Sequence, residues 1–210
     1  MYLPPQFDGS DPALAHALMR EHPLASLISN DDDGLPYVTH LPLHLADEGG
    51  AAGRALLLGH CARANPHWRD LQGGAEALAV FSGPDAYISP GWYPAKAEHG
   101  KVVPTWNYIA VHARGPVELI EEPERLLQIV SRLSDQHESG RERPWAVSDA
   151  PREYIDSMLR AIVGFALPIR RLEGKWKLGQ NRSAADQAGV RDGLASSPSP
   201  RDRELAARMS

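Results

Sequence analysis

Leu126, Leu127, Ile129, Val130 and Leu133 recur at three- and four-residue spacing, and that pattern predicts an amphipathic helix over 122–138. A second helix is expected over 151–163, capped by Ser148 or Asp149 and burying Tyr154, Ile155, Met158, Leu159 and Ile162. A third is expected over 11–22, with Asp11 as its N-cap, Pro12 in its first turn and Pro23 as its stop. Elsewhere the apolar runs are short and bounded by turn residues, which is the signature of strands. They cover 24–29, 35–45 with a kink at Pro42, 55–60, 75–82, 85–89, 105–120 broken around Gly115, and 164–172. Asp33-Gly34 marks a tight turn between the first two. A Gly/Ala-rich loop is expected at 46–54, a short helix at 65–71 and a long aromatic-rich loop at 90–104.

Short strands first and helices clustered late argue against alternating βαβ units, and no Gly-rich phosphate fingerprint follows the first strand. The expected fold is mainly β with helices: a small antiparallel barrel with helices packed outside. The 210 residues suit one domain over 1–194, followed by a Ser/Pro-rich and charged tail, 195–210, expected to be flexible and dispensable.

The formal charge of −5 gives no general attraction for nucleic acid. No apolar run is long enough to span a membrane, and the N-terminus lacks a basic, apolar leader, so a cytoplasmic protein is expected. The one cysteine, Cys61, fits a reducing compartment and reads as a buried side chain rather than a reactive thiol.

Three segments could carry chemistry. In 59–68 a strand ends at His60 and a short helix begins near Asn65, so backbone N–H groups and Arg63 could receive a phosphate; a solvated Arg beside a capping Asn is the plain alternative. In 93–108, Lys96, Thr105, Trp106 and Asn107 could line a flat ring with one polar edge, such as an isoalloxazine, or form an aromatic plug in the barrel mouth. In 174–182, Lys177, Gln180, Asn181 and Arg182 surround Trp176, as a ligand contact or as a solvated turn. His40 and His44, four apart on one expected strand, would share a face. No HExxH, CxxC or clustered His/Asp spacing calls for a metal, and no Gly-x-Ser-x-Gly elbow calls for a hydrolase triad.

Taken together and in order, several motifs resemble the PaiB family of FMN-binding negative transcriptional regulators. They are Asp33-Gly34-Leu35-Pro36 with Thr39-His40-Leu41-Pro42, Gly59-His60 with Ala62-Arg63-Ala64-Asn65-Pro66 and Trp68, and Tyr87-Ile88-Ser89-Pro90 with Trp92-Tyr93. Val103-Pro104-Thr105-Trp106-Asn107-Tyr108, Pro144-Trp145 with Ser148-Asp149-Ala150-Pro151, and Gly174-Lys175-Trp176-Lys177 with Gln180-Asn181-Arg182 complete the set. The family is similar to the FMN-binding split barrels, so the resemblance implies that fold, FMN as cofactor and a homodimer with sites at the subunit interface. It makes Arg63 and Asn65, with His60 beside them, phosphate-side candidates. Thr39, His40, Lys96, Thr105, Trp106 and Asn107 become ring-lining candidates, and Lys177, Gln180 and Asn181 would close the site. Gly91 and Gly179 stand where the family pattern has Ser.

The resemblance implies a flavin-binding regulator with DNA as a partner, although no helix-turn-helix pattern stands out. An FMN-dependent oxidoreductase or flavin reductase is the alternative, and a haem-handling split barrel a third.

Overall fold

A computed structural model describes residues 1–46 and 55–209. Of the loop expected at 46–54, all but Ala46 falls outside them. Nine strands and seven helices are described: α1 (Pro12–Glu21), β1 (Leu24–Asn30), β2 (Pro36–Pro42), β3 (His44–Ala46), β4 (Leu56–Ala62), α2 (His67–Asp70), β5 (Glu76–Ile88), α3 (Ala95–His99), β6 (Thr105–Pro116), β7 (Glu118–Ile120), α4 (Pro123–Glu138), α5 (Arg152–Arg160), β8 (Ile162–Pro168), β9 (Arg171–Lys177), α6 (Ala184–Ala195) and α7 (Pro200–Ala207). The strands form two sheets, in the orders β2-β1-β5-β6-β9 and β3-β4-β8-β7. The pairings β1–β2, β1–β5, β3–β4, β4–β8 and β7–β8 are all antiparallel, as the strand pattern predicts.

The chain divides into two compact units. One comprises His16–Phe81 and His112–Leu172. Here the β1–β2 hairpin turns on Asp31, whose carboxylate accepts from the N–H groups of Asp33 and Leu35, while Gly34 takes φ 79°. The expected single strand over 35–45 breaks at Leu43: β2 pairs with β1, whereas β3 pairs with β4 in the other sheet. Leu43 is buried against Gly59, where a Cβ would lie 2.6 Å from Leu43 and 2.7 Å from Phe165. The break separates the two histidines expected on one face. His44 bonds Gln136 at 2.8 Å, and His40 bonds Ser26 at 3.0 Å. The outer face of β4 and β8 buries Leu58 and Ala166 under Leu126, Ile129 and Leu133 of α4, which is the apolar stripe read from the sequence.

Helix α5 is shorter than expected. It ends at Arg160, Ile162 starts β8, and Tyr154 and Met158 are exposed, so the helix contributes Leu159 and the partly buried Ile155 to that core.

The other unit comprises Met1–Ala15, Ser82–Val111 and Glu173–Ser210. The segment 90–104 is not an irregular loop: it holds a 3-10 turn at Pro90–Trp92 and then α3. Helix α6 lies on Trp92 through two glycines. A Cβ at Gly193 would meet the Trp92 ring at 2.5 Å, and one at Gly189 would meet the Trp92 carbonyl at 2.1 Å. Strand β5 runs unbroken through Gly83-Pro84, where two strands were expected. Residues expected to form a flexible tail include α7, which packs on α6 and buries Leu205, Ala206 and Met209. Ser199 caps it by accepting from the Asp202 N–H, so the Ser/Pro composition here starts a helix instead of a coil.

Leu205 is fully buried. Leu205→Ala should therefore cost about 2–5 kcal/mol, the range for a core leucine. Urea denaturation followed by circular dichroism would measure it. A change within error would mean that α7 does not dock in solution.

Candidate functional site

Two polar clusters are built from sequence-predicted residues, one in each unit. The first is on β1, β2 and the β4–α2 junction. Thr39 lies on the half-buried face of β2 with Tyr37, while its neighbour His40 points to the opposite, exposed face, so the strand does not bring the two together. The Asn65 side-chain amide donates to Thr39 Oγ1 at 3.0 Å, and its carbonyl accepts from the His67 backbone N–H at 3.1 Å. His67 is buried, with Nδ1 2.7 Å from Thr39 Oγ1 and Nε2 2.9 Å from the hydroxyl of the buried Ser29. The Tyr37 ring leans against it, centroids 4.8 Å apart. Burial holds the His67 imidazole below its ordinary pKa, with nearby Asp70 opposing in part.

Arg63 is occupied differently from the expectation. Its guanidinium donates to the Glu121 carboxylate at 2.8 Å and to the carbonyls of Arg160 and Ile162 at 3.1 and 3.2 Å. The N–H groups of Arg63 and Asn65 are also engaged, by Ala161 and Ala62 carbonyls, and α2 has only four residues. The junction thus presents no row of free amides to a phosphate. Arg63 instead borders a cavity of about 600 Å³ with Arg152, Asp156 and Arg160. His60 sits on the α4 side of β4 beside Leu133, His137 and Trp145, and burial lowers its pKa. Cys61 is buried and its thiol is raised by that burial, which suits a core residue.

The second cluster is on β6 and β9. Lys177 Nζ donates to Thr105 Oγ1 at 2.7 Å and to the Trp106 carbonyl at 2.6 Å. It lies 5.9 Å from the Tyr108 ring centroid; Lys175 lies 5.4 Å from the same ring and donates to the Tyr2 carbonyl. Arg182 stacks over the buried Tyr93 at 5.0 Å. Burial lowers the Lys177 ammonium; Tyr108 opposes this, and the positive charges of Lys175 and Arg182 add to it. None of these three cations has a carboxylate partner among the described residues.

Other expected contacts are placed less centrally. Asn107 is buried under the Gly179 turn. Gln180 closes that turn, accepting from the Leu178 N–H and donating to the Trp176 carbonyl. Lys96 and Asn181 are exposed. Ser29 and His67 were not among the expected contacts. The only signal for His67 is its place two residues after Asn65 at the start of α2.

The two sheets and their helices match solved structures of flavin- and haem-binding proteins. The "FAD and Heme binding protein from Mycobacterium smegmatis" is 20% identical, with TM-score 0.58 over 85% of this chain and 76% of that one. The "Flavocytochrome Anf3 from Azotobacter vinelandii" is 19% identical, with TM-score 0.58 over 87% and 75%. The fold is the split β-barrel with helices.

Within that class, a model described as "Putative FMN-binding domain" matches residues 1–171, and the chain belongs to that family. "Protease synthase and sporulation protein PAI 2" of Bacillus subtilis is 30% identical over 209 residues, covering 100% of this chain and 96% of the relative. A protein of Emericella nidulans, AN0679, is 32% identical over 92% and 90%. The chain is thus a PaiB-like protein whose cofactor is FMN. The donor chemistry fits that group: hydroxyls and an amide suit oxygen acceptors, and cations without counter-charges suit a phosphate or a reduced ring.

The buried imidazoles fix a pH dependence. His60 and His67 stay neutral in the folded protein below the ordinary value of 6.5, at which the unfolded chain takes up protons. The unfolded state then binds more protons, so stability falls as pH drops from about 7 into the range below 6.5. Thermal melts from pH 7.5 to 5 should show this, with a shallower slope in His67→Gln. An unchanged slope would show that His67 protonates freely in the fold.

Proposed function

We propose that the chain is a cytoplasmic, homodimeric PaiB-type regulator that seats the negative part of FMN, its phosphate or its reduced ring, on Lys177 with Lys175 and Arg182. The observation that carries this reading is a set of three cations that act on one another and have no carboxylate within ion-pair distance among the described residues. Like charges held together lower one another's stability, and an anion relieves that cost. When bound, FMN supplies a ring that accepts and returns electrons. The protein's part is to hold Lys177 in place through Thr105 and the Trp106 carbonyl. The exposed Lys96, His40 and Asn181 remain open to a ligand as the resemblance implies.

The dimer is supported by Trp106 and Tyr87, which are 53% and 48% exposed and meet edge to face at 6.2 Å. Exposed aromatics of this kind suit an interface. The regulator reading supposes DNA as a further partner. At a net charge of −5, that contact must come from a local basic surface.

Lys177→Met should weaken FMN binding about ten- to a hundredfold, the loss of a charge-assisted hydrogen bond. Flavin fluorescence titration measures it, and Arg63→Ala is run alongside. Loss in Arg63→Ala alone, with its melting temperature unchanged, would move the phosphate to the Arg63 cavity. Sedimentation of a dilution series tests the dimer, and a monomer that keeps FMN would sink it. An FMN-dependent shift of promoter DNA supports the regulator. Turnover of NAD(P)H with an acceptor would identify an oxidoreductase or flavin reductase instead, and a Soret band on haem addition a haem-handling protein.

A further inference from the structure

We propose that His67, set by Ser29, is a positioning residue that turns the Thr39 hydroxyl into an outward hydrogen-bond donor. Together with Asn65 it would form a donor pair for an oxygen of FMN. The inference rests on the reading of the chain as an FMN binder.

The argument is an account of protons. Asn65 is fixed in orientation, because its carbonyl faces the His67 backbone N–H, which can only donate. Its amide nitrogen therefore faces Thr39 Oγ1 and donates to it. The His67 ring has two neutral tautomers. If Nε2 carried the proton, it would donate to Ser29 Oγ, and the Ser29 hydroxyl proton would need another acceptor. Ser29 is 4% exposed, and His67 Nε2 is the side-chain partner described for its hydroxyl. A buried O–H without an acceptor is the costly arrangement. With the proton on Nδ1, Ser29 donates to Nε2 and His67 donates to Thr39, so every buried donor has an acceptor.

The consequence falls on Thr39. Its oxygen then accepts twice, from Asn65 and from His67, which occupies both lone pairs. Its own proton has no further acceptor among the described residues and is left to donate outward. The second amide hydrogen of Asn65 is in the same position. Two donors about one hydrogen bond apart, on half-buried side chains, match an oxygen-rich acceptor, either a phosphate or a ring carbonyl of the flavin. In the opposite tautomer Thr39 would offer a lone pair there and would repel the same oxygen.

Three measurements test this on the full chain. Long-range ¹H–¹⁵N correlation spectra of the His67 ring should show a protonated Nδ1 and a bare Nε2; the reverse pattern overturns the proposal without reference to any ligand. FMN and riboflavin titrations should show Thr39→Val weakened about three- to tenfold against the parent, with Thr39→Ser near parental. An effect confined to FMN places the acceptor on the phosphate, and an effect on both places it on the ring. His67→Asn, whose amide can stand where Nδ1–H stood, should retain affinity better than His67→Gln, with both checked for fold by thermal melting. Parental affinity in Thr39→Val, or equal loss in the two His67 variants, overturns the positioning role. A parent that binds neither flavin defeats the FMN reading itself, and with it the donor pair as a flavin contact.

Discussion

His67 meets a hydroxyl at each ring nitrogen, and its burial disfavours the charged ring. Much of the local structure hangs from it. Helix α2 is only four residues long, far below the length at which a helix persists unaided, so its position depends on what its side chains touch. His67 pins it to β1 and β2, and Trp68 donates to the Arg63 carbonyl and pins it to the end of β4. Asn65 is aligned as a by-product, because its carbonyl is already engaged by the His67 amide. A neutral imidazole in the core therefore organises a polar surface outside it.

The sequence was readable where local chemistry and packing agree. The β1–β2 hairpin is announced by Asp33-Gly34, and α4 by a stripe that packs on β4 and β8 as its spacing requires. Gly83-Pro84 reads as a turn, yet neighbouring strands override the propensity and β5 runs through it. The break at Leu43 falls beside the kink expected at Pro42, but the change of sheet is invisible, because both sides of it are strand. In α5, Tyr154 and Met158 fit the helical period but stay exposed. Composition misdescribed the C-terminus, since a few buried side chains on α7 weigh more than its Ser and Pro residues.

The candidate site was legible in part for the same reason. Thr39 and Asn65 do meet, and Lys177 does reach Thr105 and Trp106. Arg63 reads as a ligand because it is an arginine at a strand end. Its partners, Glu121 and the carbonyls of Arg160 and Ile162, lie 58 to 99 residues away in the chain and leave no local trace. Gln180 likewise looks like a ligand contact but binds its own turn. Net charge is also a poor guide at this scale. A chain of −5 overall carries Lys175, Lys177 and Arg182 within one unit, none of them in an ion pair among the described residues.

The contact of α6 on Trp92 has a consequence in time. The family match ends at residue 171, whereas the two glycines that receive Trp92 stand at 189 and 193. Asp186 of the same helix accepts from the Ala95 N–H, at the start of α3. During synthesis the segment 90–99 leaves the ribosome long before these partners exist. It must wait, with its aromatic side chain uncovered, until Gly189 and Gly193 have been made. For this part of the molecule, the order of synthesis sets a delay between making an aromatic side chain and covering it.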